Sequence, residues 1–175
     1  MQVIGIGGQA RSGKDTLGDY LQKSLSRSTG TAWNRASFAN SVKKCFCEYF
    51  GQTPEFIEEW KVKDEVPPGF LMPIRKALQF IGDGFRQIQA NIWIETCFRL
   101  NKEPFIISDA RYINEGKAVR KHGGFNILMW RPGHENNDPN PSESQIKPLI
   151  DYCLRSNLNG QLYTRHPDVA YLHAP

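Results

Sequence analysis

Gly8-Gln9-Ala10-Arg11-Ser12-Gly13-Lys14 sets a glycine, four residues and then Gly-Lys in one run. That is the spacing of a phosphate-binding P-loop, whose glycines let successive backbone N–H groups close around phosphate oxygens. Val3-Ile4-Gly5-Ile6 before it reads as a short buried strand, and an amphipathic helix is predicted from Asp15 to about Leu25. The loop therefore has the strand–loop–helix context that the motif requires, and the helix N-terminus favours an anion. Gly8, Arg11, Ser12, Gly13 and Lys14 are the candidates to hold a nucleotide's phosphates. Lys14 is placed to bridge β- and γ-phosphates as charge moves in the transition state. The motif usually continues with Ser or Thr on magnesium, whereas here Asp15 follows the lysine and Thr16 comes next. Asp15 can hold a metal through water or accept a proton from a substrate. Thr16 can bring its hydroxyl to a phosphate.

A second carboxylate, Asp109, follows the apolar run Phe105-Ile106-Ile107-Ser108. In an open α/β sheet the carboxyl ends of strands line the ligand crevice. A carboxylate there can orient a magnesium hydration shell, since hard cations prefer oxygen and retain water. Arg111 can form a fork to phosphate oxygens, and Glu115 can hold its guanidinium. The competing reading is an ordinary turn in which Asp109 caps a helix and Arg111 is solvated. Arg131 closes another strand at the root of a Pro-, Gly- and Asn-rich stretch, where it either shuts over a nucleotide or is a strand-terminal charge. Arg75, Gln79, Gly82 and Arg86 step by four, three and four along one helix, with Lys76 and Asp83 at the margin. This stripe is either a solvated face or a ligand-binding one; Gly82, costly in a helix interior, favours close approach of a ligand. Trp93 is either core or a platform for a base.

The elements that must position these groups alternate between strand and helix. Strands are predicted at Val3–Ile6, Ala32–Phe38, Phe105–Ser108, Asn126–Trp130 and Asp151–Leu154. Helical spacing recurs around Val42–Phe50, Ile74–Ile88, Trp93–Leu100 and Ile113–Lys121. Ile74, Leu78, Ile81, Phe85 and Ile88 form an apolar face, while Gln52 to Pro67 reads as a polar stretch and Pro132 to Pro141 as a mobile loop. Ser142-x-x-Gln145 reads as a helix capping box, and His134 as a loop histidine. The class is α/β with a mainly parallel sheet.

Length and composition agree with a single enzyme-sized domain. The chain has 175 residues, 39% hydrophobic and 23% charged, which excludes a disordered polyelectrolyte. No apolar run reaches the roughly 20 residues of a membrane span, and no secretory leader is visible. Four cysteines fit neither a disulfide framework nor a metal pattern, and reduced, packed thiols in a cytoplasmic protein are expected. The net charge of +4 is concentrated at residues 61–131, with twelve Lys/Arg against seven Asp/Glu. That suits an anionic ligand, and without a basic block or RNA-binding aromatic signature it favours small phosphates over nucleic acid.

Taken in order, these motifs resemble the phage-type deoxynucleoside monophosphate kinases of the P-loop nucleoside monophosphate kinase superfamily. The resemblance rests on Arg11-Ser12-Gly13-Lys14-Asp15-Thr16, on Arg75-Lys76…Gln79…Gly82 with the later Trp93, and on Asp109-x-Arg111…Glu115. It continues through Arg131-Pro132-Gly133, Asn137-Asp138 and Ser142-Glu143. It implies a five-stranded mainly parallel sheet flanked by helices, within one P-loop kinase domain spanning residues 1–175. A helical substrate-binding region at 39–100 and a lid-like loop at 132–141 belong to that expectation. It further implies ATP and Mg²⁺, a deoxynucleoside monophosphate acceptor, no stable nucleic acid, no membrane, and a host-cell cytoplasmic setting; a homodimer is compatible with it. Nucleotide or substrate contacts are implied at Asp15, Thr16, Arg75, Lys76, Gln79, Trp93, Asp109, Arg111 and Glu115. Two departures stand out: Gly82-Asp83 replaces the family's frequent Gly-Thr, and the chain is short between Phe50 and Pro73. The alternatives are a kinase of another small acceptor, such as dephospho-coenzyme A, and a nucleotide-binding NTPase without one.

Overall fold

The structure, a computed structural model, describes residues 3–9, 12–130, 146–156 and 162–165. Chain contacts divide it into two compact units, Met1–Ser37 with Asn101–Pro175, and Phe38–Leu100.

The first unit is built on a sheet. Its strands are β1 (Val3–Gly8), β2 (Asn34–Ala36), β3 (Phe105–Ile107), β4 (Phe125–Trp130), β5 (Tyr152–Ser156) and β6 (Leu162–Arg165). Their order is β2-β3-β1-β4-β5-β6. The first five are mutually parallel, as expected. An antiparallel sixth strand, absent from the sequence reading, pairs with β5 at the edge. Strand β1 is central, and all six of its residues are buried. Its alternating side chains serve two layers. Ile4 and Ile6 join Ile106, Ile127 and Met129 in a core covered by Leu17 of helix α1 (Lys14–Thr29) and by Trp33. Each such aliphatic side chain contributes about 1.5–3 kcal/mol by leaving water. On the opposite face Gly5 lies against Asn126 and Val119, and Gly116 against Asn126, which draws α6 (Ile113–Lys121) close to the sheet. Parallel strands with helices on both faces leave the carboxyl ends of β1 and β3 for the loops that follow them.

The second unit is helical: α2 (Ala39–Phe50), α3 (Pro54–Lys63), α4 (Ile74–Ile88) and α5 (Ile92–Leu100). Its core gathers Phe46, Ile57, Ile74 and Ala77, with Phe56, Trp60 and Phe70 packed around them. Helix α3 lies where a polar stretch was expected. Its start is well specified, because Thr53 accepts a hydrogen bond from the Phe56 N–H at 3.2 Å and Pro54 opens the first turn. Such a cap contributes about 1 kcal/mol. The apolar face expected on α4 packs on this core from Ile74, which is fully buried, through the half-buried Leu78 and Ile81, whereas Ile88 at its end is 85% exposed.

Candidate active site

The loop after β1 is shaped by two glycines. Gly8 pairs with Met129 of β4 and has φ 135°, and a Cβ there would collide with the Met129 carbonyl oxygen. Gly13, at φ 94°, turns the chain into α1 as its N-cap residue. Both conformations lie in the region that L side chains avoid. The turn buries Ser12 and Lys14 at the helix start. Lys14 Nζ donates to the Gln9 carbonyl, inside the loop itself. Ser12 Oγ is 1% exposed by residue and has no hydrogen-bond partner among the described residues. A buried unpaired hydroxyl costs about 1–3 kcal/mol, a cost that a ligand oxygen would relieve. The orphaned hydroxyl, the buried ammonium and the open helix N-terminus fit a phosphate group.

Asp15 and Asp109 are brought into one neighbourhood by β3. Ser108, the residue before Asp109, donates through Oγ to Asp15 Oδ1 at 2.7 Å. Ser37, just after β2, donates to Asp109 Oδ2 at 2.7 Å. One carboxylate on the first turn of α1 and one in the loop after β3 thus stand near the carboxyl ends of adjacent strands, a donor set that suits a hydrated hard cation. Among the described residues there is no group of three or more His, Cys, Asp or Glu that could hold a metal ion. Thr16 is exposed on the first turn of α1.

Arg111 and Glu115 belong to the turn into α6. Buried Glu115, 3% exposed, accepts the Arg111 N–H at 2.7 Å and the Tyr112 N–H at 3.0 Å. Glu115 thus holds the backbone of Arg111. The carboxylate satisfies two free N–H groups of the helix start and sits at the favourable end of its dipole. It thereby fixes the turn carrying Asp109 and Arg111.

The remaining candidates lie in the helical unit. Arg75, Lys76 and Gln79 are exposed on α4, with Arg75 Nε donating to the Lys61 carbonyl at 3.0 Å. Asp83 and Arg86 pair with each other at 3.1 Å. Gly82 is buried and is approached by protein: its carbonyl accepts the Trp93 indole N–H at 2.9 Å, and a Cβ would come 3.2 Å from Arg86 Nη1. Trp93 is 5% exposed and packs on Phe85 with ring centres 5.3 Å apart. Of the two readings of Trp93, the structure therefore displays the core one. Arg11, Arg131, His134, the loop 132–141 and the Ser142–Gln145 cap lie outside the described residues.

Sequence reasoning missed Arg35, Ser37 and Ser108. A lone arginine in a three-residue strand and two serines after strands carry no periodic or motif signal; only tertiary placement assembles them around Asp15 and Asp109.

No protein-family model matches the chain. It is 30% identical over 173 residues, 88% of this chain and 86% of the relative, to a protein of Acanthamoeba polyphaga mimivirus named "Putative deoxynucleotide monophosphate kinase". Among solved structures, shikimate kinase from Bacteroides thetaiotaomicron aligns with a TM-score of 0.34 at 12% identity, over 74% of this chain and 57% of that one.

Proposed function

Since the chain belongs to the deoxynucleotide monophosphate kinase family, we propose that it transfers the γ-phosphoryl group of ATP to a deoxynucleoside monophosphate. The products are ADP and the deoxynucleoside diphosphate. The observation that supports this reading best is the buried Ser12 hydroxyl, unpartnered among the described residues, beside the buried Lys14 at the opening of α1. It is a site built for phosphate at the end of the central strand.

The residues divide the work. Gly8, Arg11, Ser12, Gly13 and Thr16 bind the ATP phosphates, and Arg131 closes on the nucleotide. Lys14 exchanges its internal bond to the Gln9 carbonyl for phosphate oxygens and balances the charge that grows during transfer. Arg111, on a turn fixed through Glu115, grips the moving phosphoryl group with two parallel N–H groups. Asp15 and Asp109 would hold magnesium through water, and that ion would supply charge neutralisation at the phosphates. In the helical unit the exposed Arg75, Lys76 and Gln79 contact the acceptor's phosphate and base. Gly82, Asp83, Arg86 and Trp93 support that face through their mutual bonds. Phosphoryl transfer asks little covalent chemistry of the protein, so positioning and charge suffice.

The test is a panel assay. The protein is incubated with ATP, Mg²⁺ and each common deoxynucleoside or nucleoside monophosphate, and diphosphates are resolved by anion-exchange chromatography. Deoxynucleoside diphosphates are the expected products. Product from dephospho-coenzyme A alone, or ATP hydrolysis stimulated by polynucleotide with no diphosphate formed, would overturn the reading.

A further inference from the structure

Arg35 of β2 has no part in the chemistry described above, yet its guanidinium meets Asp15, Asp19 and Ser108 together. Nη1 donates to the Asp15 carbonyl at 3.1 Å and pairs with the Asp19 carboxylate. Nη2 donates to Ser108 Oγ at 2.7 Å and to Asp15 Oδ1 at 3.3 Å. Ser108 passes its own hydroxyl hydrogen to the same Asp15 oxygen at 2.7 Å. Room for this arrangement comes from Gly18 on the facing turn of α1, where a methyl group would overlap the guanidinium. The position also carries a cost, because Arg35 Nε is buried with no partner among the described residues. A native structure that keeps such an orphan calls for a reason beyond stability.

Asp15 and Asp19 are like charges at i and i+4 on one helix, which repel. A forked cation between them cancels that repulsion and holds Asp15 at three points: its carbonyl, its Oδ1, and Ser108 behind it. Both carboxylate bonds fall on Oδ1, and the Asp15 side chain is otherwise 85% exposed. We propose that Arg35 is a positioning residue, locking Asp15 through one oxygen so that Oδ2 is presented to a hydrated divalent cation at the nucleotide phosphates. This rests on the nucleotide-kinase reading and adds a residue to it. A lysine cannot do the same, since one ammonium cannot span the carbonyl, two carboxylates and a hydroxyl in a plane.

The competing role is a mere staple between β2, α1 and β3, and Gly18→Ala separates the two. Alanine is the better helix former, so this substitution does not weaken α1, yet its methyl group displaces the guanidinium. Wild type, Arg35→Lys and Gly18→Ala are titrated calorimetrically with ADP, once in Mg²⁺ and once in EDTA, alongside kcat, both KM values and melting temperatures. The expected result is unchanged ADP affinity in EDTA, with the gain that Mg²⁺ confers on wild type reduced about 10–100-fold in both variants. A fall in kcat at unchanged acceptor KM should accompany it, and the melting temperatures report separately how much each variant weakens the staple. Retention of the full Mg²⁺ gain in both variants would reduce Arg35 to a staple. Equal ADP affinity with and without Mg²⁺ in wild type would also overturn the proposal. Failure of wild type to bind ADP at all would instead overturn the nucleotide reading beneath it.

Discussion

Replacing Glu115 by alanine removes a buried carboxylate that holds the turn between β3 and α6. The side chain is buried, and Oε2 accepts two backbone N–H groups, from Arg111 at 2.7 Å and Tyr112 at 3.0 Å. Hydrogen bonds to a charged group contribute about 1.5–3 kcal/mol each, so losing both costs about 3–6 kcal/mol before relaxation. Water entering the vacated space satisfies part of this, which favours the lower end. For a chain of 150–250 residues about 1 kcal/mol moves the melting temperature by 2–4 °C, so Glu115→Ala should melt about 6–12 °C below wild type. Glu115→Gln keeps a carbonyl oxygen that can accept both N–H groups but loses the charge, and neutral bonds are about half as strong. It should therefore recover roughly half of the deficit. Because the same turn carries Asp109 and Arg111, kcat should fall in Glu115→Ala even at temperatures where circular dichroism shows it folded. A Glu115→Ala protein within about 1 kcal/mol of wild type in urea melts would refute the assigned role. Equal damage from alanine and glutamine would show that charge, not the two-fold acceptor geometry, does the holding.

Arg111→Lys keeps the charge but not the fork, so kcat at saturating substrates should drop nearly as far as in Arg111→Ala, by about 10³-fold or more; activity within a few-fold of wild type would remove the fork from the account. Glu58 accepts from Lys43 at 2.8 Å and Lys61 at 3.2 Å, and the Lys43 hydrogen bond holds its carboxyl below the usual range. A depressed carboxylate contributes stability above its unfolded pKa and loses it as pH falls through the folded value. Glu58→Gln should therefore be less stable at neutral pH, by at most about 1 kcal/mol for so exposed a pair, and the gap to wild type should close in acid; a pH-independent gap in chemical melts would contradict this. Trp93→Phe keeps the ring beside Phe85 but leaves the Gly82 carbonyl without its indole donor, so stability should fall by about 1–3 kcal/mol while the acceptor KM holds. An unchanged melting curve with a raised acceptor KM would return Trp93 to the binding surface.

The parts of the site readable in the sequence are those in which one short segment carries its own chemistry. The Gly8–Lys14 loop announces itself because backbone geometry and charge act within seven residues. The same holds for the Ile113–Lys121 helix, closed by Gly123-Gly124, and for the buried run that delivers Asp109. Helix α3 was hidden because Phe56, Ile57 and Trp60 make a narrow apolar stripe among lysines and glutamates, and its clearest signal, Thr53-Pro54, is a cap and not a periodicity. Gly82 and Trp93 were ambiguous for a different reason: a glycine that admits a ligand and one packed beside an arginine of its own helix look alike along the chain. The Arg35–Ser108–Asp15 network joins residues up to 93 positions apart, and no local rule anticipates it.

The central claim, that this nucleotide kinase charges deoxynucleoside monophosphates from ATP, is tested most directly by following the γ-phosphoryl group itself. ATP labelled in that group is mixed with a deoxynucleoside monophosphate and Mg²⁺, and the label is traced by chromatography in wild type and in folded Lys14→Met. Label is expected in the β-position of the deoxynucleoside diphosphate with wild type, at a rate lowered at least about 10²–10³-fold when Lys14 no longer balances the transition-state charge. Label released only as inorganic phosphate, or transferred equally well by Lys14→Met, would contradict it.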